Sequence, residues 1–227
     1  MMAHPRSSTT APRRRGRGLS GAACVLFCAL LLITSAQASD ASALTAVYQM
    51  TSDKGTDRFT LMRSPDRIEY RFDTGESQIW LQGADGIGLL RMFDQQQRSI
   101  EYTPGDLAAL DATPDWHKLA QLVALSARKR LVAGDLKSWL THDGRVLTAG
   151  GDARQRLLWS EALQLPLWWE FADARWELIE LAKETDFIPL NRYPILEYAD
   201  IGDREKDPFA RQLIHFGDGH AHPQGAH

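Results

Sequence analysis

The side chains best suited to chemistry crowd the end of the chain. His215, His220, His222 and His227 fall within the final stretch "HFGDGHAHPQGAH", with Asp218 among them. Imidazoles two residues apart on a polar tail can chelate copper, nickel or zinc. Weak copper or zinc binding by this tail is therefore the one cofactor the composition suggests. A polar tail without fixed structure is the plainer reading of the same composition. His117 and His142 stand alone, and no nucleophile is tied to either. The chain has no G-x-S-x-G, no H-E-x-x-H, no C-x-x-C pair, no phosphate loop and no dinucleotide fingerprint. Asp200, Asp203 and Asp207 lack the glycine and glutamate offsets of a calcium loop. These absences predict a protein that is not an enzyme.

The first 38 residues read as a cleaved signal peptide. Arg6, Arg13, Arg14, Arg15 and Arg17 form a basic head, an apolar run covers Leu19 to Ile33, and Ala36 and Ala38 form a cleavage site. Both cysteines, Cys24 and Cys28, lie in this leader, so the expected product is exported to the periplasm without a disulfide. Its 189 residues carry 21 basic and 29 acidic side chains, net −8. That balance argues against nucleic acid as a partner. No second long apolar stretch exists, so no membrane span is expected in the mature chain.

The remaining sequence is patterned for antiparallel strands. "RIEYRF" alternates Ile68, Tyr70 and Phe72 against Glu69, Arg71 and Asp73, and Asp85-Gly86 marks a hairpin. Similar segments run from "TAVYQMT" to "RSIEY", a meander that curls. The period then changes. Thr113 and Pro114 open a helix near 114–132 that repeats Trp116, Leu119, Ala120 and Val123 at helical spacing. Strands resume through "LPLWWEFA"; the segment 175–187 has helix-favouring composition but follows a strand that needs a partner. The expected fold is α+β, mainly antiparallel β: a curved incomplete β-barrel with a covering helix. Residues 39–190 would form this domain, and 191–227 a polar extension ending in the histidine tail.

Alternation assigns Ile68, Tyr70, Phe72, Ile79, Leu81, Ile100 and Tyr102 to the apolar lining of the half-barrel cavity. Seven tryptophans, all after the leader, are mostly core fillers, but the tandem Trp168-Trp169 must face opposite sides of a strand.

The order of features resembles the periplasmic carriers of outer-membrane lipoproteins (the LolA-like lipoprotein-sorting superfamily). The resemblance rests on Pro65 and Arg67 at a strand start, Asp85-Gly86, Asp94, Tyr102, and Trp159 followed by Leu165-Pro166. It spans roughly Phe59 to Phe187. It implies a non-catalytic carrier whose half-barrel holds acyl chains beneath helices, with a lipid or lipid-modified protein as partner. Two other readings come from the residues: a metal-handling accessory protein using the histidine tail, and a regulatory interaction module of the cell envelope.

Overall fold

The computed structural model describes residues 43–149, 152–171, 174–204 and 206–211. The expected leader and the four tail histidines lie outside them. The first six strands are β1 Leu44–Ser52, β2 Gly55–Arg63, β3 Arg67–Phe72, β4 Glu76–Gly83, β5 Gly86–Phe93 and β6 Arg98–Tyr102. They pair in sequence order as an antiparallel meander. The Asp85-Gly86 turn joins β4 to β5, and Gly86 sits at φ 126°, where an L side chain is strained.

Three short helices follow: α1 Pro104–Ala109, α2 Trp116–Gln121 and α3 Leu125–Lys129. Thr103 and Asp106 close a capping box at the start of α1, and Asp115 caps α2. The spacing predicts one helix near 114–132, but the structure breaks it. Leu122 adopts a left-handed conformation, φ 65°, ending α2 and separating it from α3.

The second meander is β7 Leu131–Trp139, β8 His142–Ala149, β9 Asp152–Ser160, β10 Leu165–Phe171 and β11 Ala174–Ala182. β11 makes residues 175–182 of the ambiguous segment strand, because both of its edges find partners, β10 and β1, while 183–187 lie beyond it. Tertiary pairing overrides helix propensity here. The result is one unclosed sheet ordered β12-β6-β5-β4-β3-β2-β1-β11-β10-β9-β8-β7, where β12 is Ile195–Glu197. Every neighbouring pair is antiparallel except β12 on β6.

The sheet rolls. Trp139 on β7 donates its indole N–H to the Leu178 carbonyl of β11 at 2.8 Å. In a flat sheet, strands four positions apart would stand about 19 Å from each other. The architecture is thus a curved incomplete barrel with a few short helices, as the alternation predicts.

Register fixes what each face carries. One row runs Leu44, Arg63, Ile68, Trp80, Leu89 and Tyr102 across β1 to β6. The next runs Ala46, Leu61, Tyr70, Gln78, Arg91 and Ile100. This inner face holds the main hydrophobic cluster. On the opposite, outer face Met62, Glu69, Ile79 and Leu90 align.

The stretch after β11 packs on both faces of the sheet. It crosses the outer face from β11 towards β12 and buries Ile188 against Ile79, Leu90 and Met92. Beyond β12, the chain turns over the inner face. Tyr198 stacks on Tyr102 with ring centres 4.7 Å apart, and Phe209 meets Phe93 edge-on at 5.3 Å. Leu196, Ile201 and Phe209 join the main cluster. They lie on a three-residue strand and short turns, too brief for a period to announce them.

Candidate functional site

The inner face is built from aromatic rings. Tyr48 stacks on Phe59 with centres 5.2 Å apart; Trp169 stacks on Trp176 at 5.3 Å. Trp169 meets Tyr48 edge-on at 5.4 Å, and Trp176 meets Phe59 edge-on at 5.2 Å. Tyr70 and Phe72 extend the group along β3. Strand register makes this patch. Tyr48, Phe59 and Phe72 lie in one cross-strand row, and Trp176 pairs with Trp169. Tyr48 and Phe59 are buried; Phe72, Trp169 and Trp176 are only partly so. Offset and edge-on pairs of this kind contribute about 0.5–1.5 kcal/mol each beyond area burial. The tandem tryptophans do face opposite ways: Trp169 joins the rings, while Trp168 pairs with Glu177 on the other side.

Polar atoms below α2 are committed almost entirely as donors. The Tyr48 hydroxyl donates to the Pro166 carbonyl at 2.9 Å, and the Tyr70 hydroxyl donates to the Leu119 carbonyl. Burial pushes both phenols well above the usual tyrosine range. Arg63, 1 % exposed, donates to Ala120 at 2.5 Å, to Leu163 at 2.5 Å and to Gln164 at 3.3 Å, all backbone carbonyls. Its guanidinium thus ties β2 to α2 and to the turn between β9 and β10. Burial pulls its pKa below the ordinary arginine value. No carboxylate among the described residues pairs with it. Alternation held the signal for this residue, because Phe59, Leu61 and Arg63 share one parity of β2.

The structure divides the seven predicted lining residues. Ile68, Tyr70, Phe72, Ile100 and Tyr102 lie on the inner face within or against the main cluster. Ile79 and Leu81 do not. They occupy the outer face, with Leu90, Met92 and Ile188, because Ile68 pairs with Trp80 and so points Trp80 inward. Ile100 and Tyr102 are covered by the turn carrying Tyr198. The aromatic rim that stays partly accessible joins the predicted Phe72 to Trp169 and Trp176, which the strand pattern missed. His215, His220, His222 and His227, the predicted metal ligands, lie outside the described residues. Among the described residues, no group of three or more His, Cys, Asp or Glu side chains is close enough to hold a metal ion.

The elements named in the sequence resemblance fall where strands meet. Arg67 opens β3, Tyr102 closes β6, and Trp159 pairs with Pro166 across β9 and β10. No family model matches the chain, and no curated protein matches it. Among solved structures, MucB in the MucA/MucB complex of Pseudomonas aeruginosa is 13% identical, with a TM-score of 0.35. That match covers 62% of this chain and 51% of MucB, so the chain spans about half the length of that relative. An outer-membrane lipoprotein-sorting protein domain from Vibrio parahaemolyticus is 12% identical, with a TM-score of 0.30, covering 68% of this chain and 91% of that one. The PNGF-II chain is 7% identical with a TM-score of 0.38, and the match covers 68% of this chain and 30% of that one. Lipoprotein-sorting and MucB chains are thus among the structures this chain is similar to, at low identity.

Proposed function

We propose that the protein is a non-catalytic carrier or binding protein of the periplasm that holds an apolar guest, lipid or acyl chains, against the inner face of its half-barrel. The observation that carries this reading is the six-ring cluster of Tyr48, Phe59, Tyr70, Phe72, Trp169 and Trp176, three of whose members stay partly exposed. Large aromatic side chains left half-covered inside a concavity are the usual lining of an apolar-ligand site. Among the described residues, no helix is long and apolar enough to cross a membrane. The test is titration of delipidated protein with the neutral probe N-phenyl-1-naphthylamine. Saturable, stoichiometric fluorescence that weakens in Trp176→Ala supports the reading; absence of uptake overturns it.

An envelope protein partner is a second reading, favoured by β7. This edge strand exposes Val132 at 59 % and Leu136 at 68 %. An irregularity between Ala133 and Leu136 interrupts its ladder, which limits how much of the edge another strand can use. Leu136→Lys would abolish such docking and leave probe uptake unchanged. Metal capture by the histidine tail is a separate proposal, tested by zinc titration with and without residues 214–227.

A further inference from the structure

Beside the main cluster lies a buried cation that no carboxylate among the described residues pairs with. Of the charged residues described, two are fully buried: Arg63 on the inner face and Glu69 on the outer. Arg63 is balanced only by the carbonyls of Ala120, Leu163 and Gln164. Neutral carbonyls return part of the solvation a guanidinium loses, and an anion returns far more. Its Nε–H is buried and has no acceptor among the described residues. Two strands away in the same cross-strand row, with Ile68 between, the Trp80 indole N–H is likewise buried without an acceptor. The neighbouring hydroxyls of Tyr48 and Tyr70 already donate to backbone carbonyls. The apolar face therefore carries two buried donors, Arg63 Nε–H and Trp80 Nε1–H, that lack an acceptor among the described residues.

We propose that the guest of this face is an amphiphile with an anionic head, a carboxylate or a phosphate monoester, whose oxygens are received by Arg63 Nε–H and Trp80 Nε1–H while its chain lies along the aromatic rings. This rests on the carrier reading above and goes beyond it by naming the chemistry of the guest's polar end. The two donors differ in kind. Arg63 supplies charge and half of a planar fork. Trp80 supplies a single neutral N–H that orients the head. A guest with an ester or hydroxyl head leaves the guanidinium uncompensated.

The test is competition on the full chain loaded with N-phenyl-1-naphthylamine, using hexadecanoic acid, hexadecyl phosphate and methyl hexadecanoate as displacing agents. The acid, the phosphate or both should displace the probe at concentrations about tenfold below those the ester needs, the size expected of a charge-assisted hydrogen bond. Which of the two acts at lower concentration identifies the source of the anion. In Arg63→Met the preference for the acid and the phosphate over the ester should collapse. Arg63→Lys should restore only part of it. Equal displacement by acid, phosphate and ester in the unmodified protein overturns the proposal and leaves the carrier reading standing. A preference that survives intact in Arg63→Met also overturns it. Failure of the probe and all three agents to bind overturns both readings. The comparison in the unmodified protein decides even where Arg63→Met does not fold.

Discussion

Arg63 and Glu69 lie on neighbouring strands of the same sheet, both fully buried, and they are treated in opposite ways. Glu69, on the outer face, is held by Arg67 at 2.7 Å and Arg71 at 2.5 Å, and accepts the Ile188 N–H at 3.2 Å. The same arginines donate to the carbonyls of Ile188 and Asp186, and Arg67 lies over the Phe187 ring. The Glu69 carboxylate in that cluster is fully answered, although Arg67 Nε–H is buried without an acceptor among the described residues. The cluster's product is mechanical: it fastens the crossing segment to the sheet. Arg63 has carbonyls alone. A buried charge whose partners are complete is a rivet; one left short of an anion marks a face prepared for something the chain does not itself supply.

The sharpest way to break the contrast is Glu69→Ala. It strands two arginines and the Ile188 amide, and should cost about 3–5 kcal/mol, read as a shift of the urea midpoint. A cost below about 1 kcal/mol would mean the outer cluster is only surface pairing. Alkali should attack the inner face next. The phenols of Tyr48 and Tyr70 are raised by burial, so the folded state keeps protons that the unfolded chain releases. Their contribution is intact below the unfolded tyrosine value of about 10 and is lost as pH climbs towards the folded values. Stability should fall by about 2–3 kcal/mol per pH unit in that window. The share of tyrosinate absorbance that belongs to Tyr48 and Tyr70 would rise together with loss of near-ultraviolet dichroism, and Tyr48→Phe with Tyr70→Phe would remove it. Ile188→Ala removes the apolar half of the rivet and should cost about 2–3 kcal/mol, without changing probe uptake. The smallest effect belongs to Arg63→Met. Exchanging an uncompensated charge for an apolar chain of similar length removes three hydrogen bonds and one desolvation cost together. Its net change should stay near about 1 kcal/mol, whereas Glu69→Met should resemble Glu69→Ala.

Much of this arrangement could be read in the residues before any coordinates. Ile68, Tyr70 and Phe72 alternate because only one side of β3 meets the rings. Asp85-Gly86 dictates its own hairpin. The assignment failed where both faces of the sheet are buried. In β4, Ile79, Trp80 and Leu81 form an unbroken apolar run, and parity within the strand does not say which member looks inward. That was decided by the pairing of Ile68 with Trp80, a relation between strands. Leu122 ends a helix with no glycine to announce it, and Leu196, Ile201 and Phe209 are buried by turns too short to show a period. Arg63 shares the parity of Phe59 and Leu61, but arginine is rarely found inside, so its type conceals what its position implies.

The crossing segment between β11 and β12 also orders events in time. β12 forms its ladder with β6, nearly a hundred residues earlier, through Ile195 opposite Ser99 and Leu196 opposite Ile100. That edge cannot be laid until the first meander exists and the chain has been threaded across its back. Closing so long a loop is entropically slow. Assembly of this protein therefore has a late step, in which the last described residues complete a scaffold the earlier ones have already raised.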